Sequence, residues 1–231
     1  MKTIFNKTII ICLMFLISHS LFSQNKTRFP VWTFHDDSTK INGLSAGFCS
    51  TFKINDVVVN GINFELLGFG FFGPLFPQSP IRQINYEAKE NFLSDTVQIK
   101  INGINLSPSG SICDGNINGL NINGISSKFN VTNGLNIAAY ANFSNVLNGC
   151  QFAFIGNDVV FFNGIQCAFL TNSSQVESNG LQVSAINSSN KVNGVQLGIV
   201  NMAECLKGIQ IGLWNKNQKR SLPFINWCFK S

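Results

Sequence analysis

Residues 193–215 read NGVQLGIVNMAECLKGIQIGLWN and contain one eight-residue motif twice. Gly194–Asn201 (GVQLGIVN) returns as Gly208–Asn215 (GIQIGLWN), fourteen residues later. Related copies open with an Asn-Gly pair or its equivalent, at Asn42, Asn60, Asn102, Asn118, Asn133, Asn148, Asn163, Asn179, Asn193 and Lys207. From Asn102 onward the spacing is 14 to 16 residues. A fixed period of this kind predicts a repeat fold.

The columns of the repeat alternate in polarity when each unit is numbered from its Asn-Gly pair. Positions three and five are apolar, position four is a primary amide in every unit but the first, and position six is mostly small. Alternation with period two is typical of a β-strand that buries one face. We therefore expect the aliphatic side chains at positions three, five and seven to fill the core.

Two all-β folds fit these units. In a β-solenoid each unit of about 15 residues is one coil, all strands run parallel, and the position-four amides stack into a ladder. In an outer-membrane antiparallel β-barrel each unit is one membrane strand and a turn. The connections are all alike, Asn flanks the strands, and the alternation covers only about six or seven residues, short of a membrane strand. The pattern favours the solenoid.

The chain divides into a leader and one repeat domain. Residues 1–23 have a basic start, a short apolar run and a plausible cleavage site, which predicts a secretory signal peptide. Residues 24–41 are predicted as an N-terminal cap and 42–231 as the repeat domain, with an irregular insertion at about 68–101 and an aromatic closing strand at 222–230. Within the insertion, Phe69–Pro80 is expected to be a loop that packs its phenylalanines on a surface, and Gln83–Asp95 a short helix.

The motif Gly-[Val/Ile]-Gln-[Leu/Ile]-Gly-[Ile/Leu]-[Val/Trp]-Asn, at Gly194–Asn201 and Gly208–Asn215, resembles a family of short exported surface-repeat proteins of Gram-negative bacteria. The closing Leu222–Trp227 is similar to the end of such chains. The likeness is close over 148–229 and weaker over 42–133, where Asn replaces Gln. It implies a location at the cell surface or outer membrane, or in the periplasm, and a repeat architecture. It carries over no catalytic residues and no cofactor.

Charge and cysteine content narrow the function classes. Only 12% of the residues are charged, and the net charge of +5 falls to +3 without Lys2 and Lys7 of the leader. Nucleic-acid binding needs clustered basic residues, so we expect no nucleic-acid partner. The cysteines show no metal spacing, which predicts no metal site. We expect most of them to fill the core, with Cys150 and Cys167 reduced and buried.

Few residues are candidates for chemistry. His35 lies beside Asp36 and Asp37, but sequence neighbours rarely supply a catalytic geometry. Glu65 occupies a strand position that is otherwise small, and it is either a functional carboxylate or a solvent-facing residue. We predict no catalytic residue and no cofactor.

The sequence therefore predicts a non-enzymatic exported repeat protein with a structural or binding role. The partner is unknown, with a glycan or another surface protein as candidates. The candidate binding residues are the amides of the ladder, Asn121, Asn136, Gln151, Gln166, Gln182, Gln196 and Gln210. A purely structural ladder is the competing interpretation, since stacked amides stabilise strands without any ligand. One alternative is an outer-membrane pore or anchor, and it is the only one of these functions that would involve the membrane. The other alternative is an enzyme on a repeat scaffold.

Overall fold

The structure, a computed structural model, describes residues 26–32, 37–47, 56–75, 87–94 and 97–229. The strands in this part of the chain are β1 (Lys26–Arg28), β2 (Val31–Trp32), β3 (Thr39–Gly47), β4 (Val57–Glu65), β5 (Ile99–Ser107), β6 (Gly115–Asn123), β7 (Ser126–Ala138), β8 (Ala141–Ala153), β9 (Gly156–Ala168), β10 (Thr171–Val183), β11 (Ile186–Leu197), β12 (Val200–Lys216) and β13 (Ser221–Cys228). A 3-10 helix spans Phe69–Leu75 and an α-helix, α1, spans Glu87–Ser94. The signal peptide predicted at residues 1–23 and the candidates His35 and Asp36 lie outside these ranges.

The fold is a β-solenoid of about ten turns with a spacing of roughly 15 residues. Strands β3 to β12 follow one another in sequence order, and each pairs in parallel with the next. The register pairs identical positions of neighbouring repeats, so that Asn148 and Gly149 lie opposite Asn163 and Gly164. Among the strands of the described residues, only β13 runs antiparallel, against β12. The predicted solenoid is confirmed, and the antiparallel alternative is not the arrangement adopted.

A glycine corner shapes every coil. The position-two glycines all have positive φ, for example +137° at Gly149 and +135° at Gly164. A Cβ on Gly149 would lie 2.1 Å from the carbonyl oxygen of Gly134 on the coil before it. Only glycine therefore fits at this position, because the chain bends here in direct contact with the preceding coil.

The interior is lined by the even positions of the repeat, contrary to the expected core. Position four is buried, whereas apolar residues at positions three and five face outward, with Ile62 41% and Phe152 40% exposed. Buried strand residues such as Val57, Ile99 and Phe129 form one part of the apolar interior, and the position before the Asn-Gly pair forms another. Its buried members are Ile41, Val59, Ile101, Ile117, Leu147, Phe162, Val192 and Leu206.

The reversal has a physical reason. A period-two pattern identifies two faces of a strand but does not specify which one is inside. Burying an amide is costly only when its hydrogen bonds are lost. A parallel in-register stack gives each amide a partner on the neighbouring coil, so polarity no longer predicts exposure.

The insertion leaves the coil between β4 and β5. Phe69–Leu75 forms a 3-10 helix rather than the expected loop, and Phe71 and Phe72 are 45% and 41% exposed. Residues 76–80 of the predicted loop lie outside the described residues. Helix α1 lies within the segment predicted to be helical. Its Phe92 packs against a buried cluster that includes Val146 and Phe161. No helix in the described residues is both long enough and apolar enough to span a membrane.

Candidate functional site

The position-four amides form a ladder whose first half runs toward the C-terminus. The Nδ2 atom of Asn63 donates to Oδ1 of Asn105 at 2.7 Å, Asn105 donates to Asn121 at 2.8 Å, and Asn121 donates to Asn136 at 3.0 Å. Ser45, which replaces the amide in the first unit, donates its hydroxyl to Oδ1 of Asn63 at 2.8 Å. The ladder thus begins in the first coil of the solenoid.

The second half of the ladder runs in the opposite direction. The Nε2 atoms of Gln182, Gln196 and Gln210 donate to the preceding glutamines at 2.8 to 2.9 Å. In β13, Asn226 extends this row by donating to Oε1 of Gln210 at 3.3 Å. Both halves of the ladder therefore direct their donors toward the middle of the solenoid.

The two halves meet at Gln151 and leave three buried atoms without a partner. These are Nδ2 of Asn136, Oε1 of Gln151 and Nε2 of Gln166. Gln151 instead donates Nε2 to Oγ of Ser144 at 2.9 Å. The middle of the ladder is therefore its weakest point, because an unpaired buried amide group carries its full desolvation cost.

All of the amides predicted as a binding row are fully buried. Exposure is 0% for Asn121, Asn136, Gln151, Gln166, Gln182, Gln196 and Gln210. The structure corrects the expectation that these side chains line a surface, since a partner cannot touch them in the folded coil. Their hydrogen bonds to neighbouring coils instead stabilise the stack.

A second interior ladder is one that the sequence analysis did not predict. Its first five side chains share one register near the start of strands β8 to β12, and the sixth lies near the end of β12. Each donates Nδ2 to Oδ1 of the next at 2.8 to 3.2 Å. The members are Asn142, Asn157, Asn172, Asn187, Asn201 and Asn215. Their recurrence with the same period as the Asn-Gly pair was the signal available in the sequence.

A third amide ladder runs along the outer corner of the coils, at position one. Nδ2 of Asn60 donates to Oδ1 of Asn42, and each following position-one Asn as far as Asn148 donates to the Asn on the coil before it. These hydrogen bonds measure 2.7 to 2.8 Å. Asn193 donates to Asn179 at 2.8 Å and to Oε1 of Glu177, which also pairs with Lys191 at 3.1 Å. From Asn42 to Asn148 this row forms an uncharged polar edge beside position three.

The outward side chains at positions three and five form what we call the apolar face. The position-three row is Leu44, Ile62, Ile104, Leu120, Leu135, Cys150, Ile165, Leu181, Val195 and Ile209, continued by Trp227 on β13. The position-five row is Ala46, Phe64, Leu106, Ile122, Ile137, Phe152, Cys167, Val183, Leu197 and Ile211, continued by Ile225. Neither row contains a charged residue.

A row of aromatic and aliphatic side chains borders the apolar face at positions seven and eight. Phe154 and Phe169 are 61% and 65% exposed, and their rings stack with centroids 5.3 Å apart. Leu213 and Trp214 continue this border on β12. At the C-terminal end the Arg220 guanidinium lies 4.5 Å from the ring centre of Trp227. The face is thus apolar up to its border, with a basic group only at one end.

The dimensions of the apolar face follow from strand geometry. Eleven strands, β3 to β13, contribute to it. Strands β4 to β11 end before positions seven and eight, where the chain bends. At about 4.8 Å per strand and about 3.3 Å per residue from position three to the border residue at position seven, the face measures roughly 48 Å by 13 Å, or about 600 Å². Most monomeric soluble proteins expose smaller contiguous apolar patches, and larger ones mark interaction sites.

Glu65 lies in the interior and does not face solvent. Its side chain is 0% exposed, and Oε2 accepts a hydrogen bond from Oγ of Ser111 at 2.5 Å. Nδ2 of Asn105, a ladder residue, reaches the same hydroxyl at 3.5 Å. Glu65 therefore joins the start of the insertion to the amide ladder, and the alternative of a solvent-facing residue is wrong.

Asp158 is a second buried carboxylate. Gln175 donates Nε2 to both of its oxygens at 3.2 and 3.4 Å. Burial raises the pKa of Asp158 from 3.8 to about 6, against the lowering effect of hydrogen bonds from Ser173, Gln175 and the backbone of Val159. Desolvation disfavours the ionised form, so this group titrates close to neutral pH.

The cysteines of the described residues lie in several environments, and Cys150, Cys167 and Cys205 are free thiols. Cys150 and Cys167 lie on the apolar face and are half-buried, which corrects the expectation of full burial. Burial, and secondarily the neighbouring Cys150, raises the pKa of the Cys167 thiol. Cys228 is buried in a core cluster with Val192 and Leu206. Cys205 is exposed.

Within the described part of the chain, no group of three or more His, Cys, Asp or Glu residues is placed to hold a metal ion. Comparison with protein-family models, with curated proteins and with solved structures finds no match for this chain. The arguments about function therefore rest on the geometry of the solenoid.

Proposed function

We propose that this chain is an exported, non-enzymatic repeat protein of the Gram-negative cell surface or periplasm, with a structural or binding role. The observation that carries the proposal is the apolar face, which extends over eleven strands without one charged side chain. An apolar face of about 600 Å² in water favours a partner that covers it. The binding surface is therefore the row of aliphatic side chains that the sequence pattern assigned to the core.

The interior supports this role because it makes the face rigid. Backbone pairing joins each coil to the next, and two buried ladders add side-chain hydrogen bonds across the same coils. A preorganised surface loses little conformational entropy when it binds. A scaffold with such a surface suits assembly or adhesion.

The positions of the carboxylates favour a non-enzymatic role. Glu65 ends β4 and Asp158 lies in β9, five strands further along the solenoid. At about 4.8 Å per strand they are roughly 24 Å apart. Paired carboxylates of glycoside hydrolases lie about 5 to 9.5 Å apart, so these two groups do not form such a pair.

Export is tested by cell fractionation. The full chain, produced in a Gram-negative host, is expected in the periplasmic or outer-membrane fraction with residues 1–23 removed. A variant that lacks 1–23 is expected to stay in the cytoplasm. Full-length protein recovered from the cytoplasm with residues 1–23 still attached would contradict the proposal.

The binding role is tested with a charge placed on the apolar face. Phe152→Glu puts a carboxylate on the middle strand of the face, whereas Leu93→Glu puts one at a still more exposed apolar position on α1. We expect Phe152→Glu to change at least one association of the protein, whether with itself, with lipid vesicles or with cell envelopes, and Leu93→Glu to change none. A Phe152→Glu protein that matches wild type in all three would refute the role of the face.

A further inference from the structure

We infer that the apolar face is covered by a second copy of this chain, laid face to face in a twofold dimer. The inference rests on the proposed function, because it names the partner of the same surface. Such a dimer needs a face that is flat and large enough to bury a stable interface. The face must also fit against its own copy without bringing like charges together.

The regular rows of the face suit packing of sheet on sheet. Strands recur about every 4.8 Å, and the outward rows at positions three and five lie roughly 7 Å apart, with position four directed inward between them. The rows on one copy can therefore enter the furrow on the other, at the spacing of about 10 Å that stacked sheets adopt. Both copies carry the same period, so the fit at one coil repeats along the solenoid.

The area of the face is within the range that a stable dimer buries. A face of about 600 Å² on each copy removes roughly 1,200 Å² from water, which is at the lower end of the range for a specific interface. The described cysteine, leucine, isoleucine, valine and phenylalanine side chains on the face also resemble the apolar composition of homodimer interfaces.

The charge pattern favours a copy over a lipid surface. A charged face that meets its own copy often brings like charges together, but positions three and five hold no charge in any unit. Asn residues, with no net charge, form the polar edge from Asn42 to Asn148. Binding to anionic lipid gains from basic residues along the contact, whereas Lys216, Lys219 and Arg220 cluster at the C-terminal end alone.

A twofold axis in the interface brings the middle strand of the face over its own copy. Of the eleven strands from β3 to β13 the middle one is β8, which carries Cys150 and Phe152 on the face. The dimer therefore places these two residues at its centre. It leaves Cys205, which is exposed at a position outside both rows, away from the contact.

The first experiment measures mass. Sedimentation velocity of the full chain, purified as the cell processes it, is expected to give twice the mass of one chain. Phe152→Glu is expected to halve that mass while circular dichroism and melting stay those of a folded solenoid. Ile165→Lys, also on the face, is a second variant in case the first fails to fold, and Leu93→Glu is the control that keeps the dimer.

The second experiment locates the contact. In a Cys205→Ser background, a short bismaleimide is expected to link two chains, and adding Cys150→Ser is expected to reduce the linked product. Linkage that is unchanged without Cys150 would overturn the face-to-face arrangement.

The outcomes separate this inference from the proposed function. A single-chain mass for wild type, with binding to neutral phosphatidylcholine vesicles that Phe152→Glu abolishes, would overturn the dimer and leave the binding face standing with lipid as its partner. A single-chain mass with no association changed by Phe152→Glu would overturn both.

Discussion

At the scale of single residues, the corner glycines allow successive coils to stack in register. Each has positive φ, and from Gly61 onward each lies directly against the carbonyl oxygen of the corner glycine on the coil before. A side chain here would meet both a strained backbone and a filled space. The Asn-Gly pair recurs so faithfully because the corner leaves no room for a Cβ.

Gly164→Ala tests this role of the corner. A Cβ at Gly164 would lie 1.9 Å from the carbonyl oxygen of Gly149, and φ is +135°. We expect the substitution to lower the free energy of unfolding by at least about 2–3 kcal/mol in urea denaturation. Asn163→Ala, at the exposed neighbouring position, is the control and should cost well under half as much. Equal losses would show that the corner tolerates a side chain.

Asp158 gives the solenoid a pH dependence whose sign follows from burial. Its pKa is about 6 in the folded protein against 3.8 as the ordinary value, so folding favours the protonated form. Stability is therefore greatest below about pH 4 for this group, falls as pH rises through 6, and stays low above it. The full difference corresponds to about 3 kcal/mol.

The measurement for Asp158 is urea unfolding of wild type and Asp158→Asn at pH 4.5 and pH 7.5. Asp158→Asn should be the more stable protein at pH 7.5, and the two should differ less at pH 4.5. A difference between them that does not vary with pH would show that the carboxylate is not the titrating group.

At the scale of elements, the amide ladder is a set of hydrogen bonds of unequal value along one row. Gln182 donates to Gln166 and accepts from both Gln196 and Ser189. Gln151, on the same row, leaves its own Oε1 and the facing donors of Asn136 and Gln166 without partners. Identical positions in the repeat therefore differ in what they contribute to stability.

Replacement of single amides by methionine, a side chain of similar size, tests that difference. Gln182→Met is expected to cost about 2–4 kcal/mol, because it leaves buried groups of two neighbouring amides unpaired. Gln151→Met is expected to cost less than about 1 kcal/mol, because it removes one hydrogen bond together with an unpaired oxygen. Chemical denaturation of both variants measures this. If Gln151→Met proved the more damaging of the two, the opposed polarity of the two half ladders would be refuted.

The sequence predicts the coil of the solenoid but not which side chains line its interior. The Asn-Gly period, the alternation and the like-on-like columns were enough to predict parallel stacking and the ladder of Gln166, Gln182 and Gln196. They were not enough to predict which face of the strand is buried. Leu or Ile at positions three and five is typical of core residues as long as the hydrogen-bonding partners of position four are unknown. The sequence pattern therefore identified the residues of the candidate site but assigned them to the wrong face of the sheet.

The insertion departed from prediction for a local reason. Pro74 excludes regular α-helix and strand, but a short 3-10 helix accommodates it within Phe69–Leu75. Gly70 packs so closely against Gly110 that its backbone N–H donates to the Gly110 carbonyl at 2.8 Å. That contact between residues forty positions apart is set by the tertiary fold, which local composition does not encode.

At the scale of the whole molecule, the solenoid combines a hydrogen-bonded polar row in its interior with an apolar exterior on one face. The interior amides make the stack specific, and the aliphatic rows leave a rigid surface for a partner. The binding face and the dimer both follow from this arrangement. Each of them fails if the amides and the aliphatic rows exchange places.

The most direct test of that arrangement is hydrogen–deuterium exchange of the side-chain amide groups, followed by NMR. The Nε2 hydrogens of Gln182, Gln196 and Gln210 are buried and bonded to the neighbouring coil, so they are expected to persist in D₂O as long as the backbone amides of the strands. The exposed side-chain amide of Asn163 should exchange before the first spectrum. Slow glutamine exchange would support the polar interior whatever covers the outer face. Glutamine exchange as fast as that of Asn163 would contradict it.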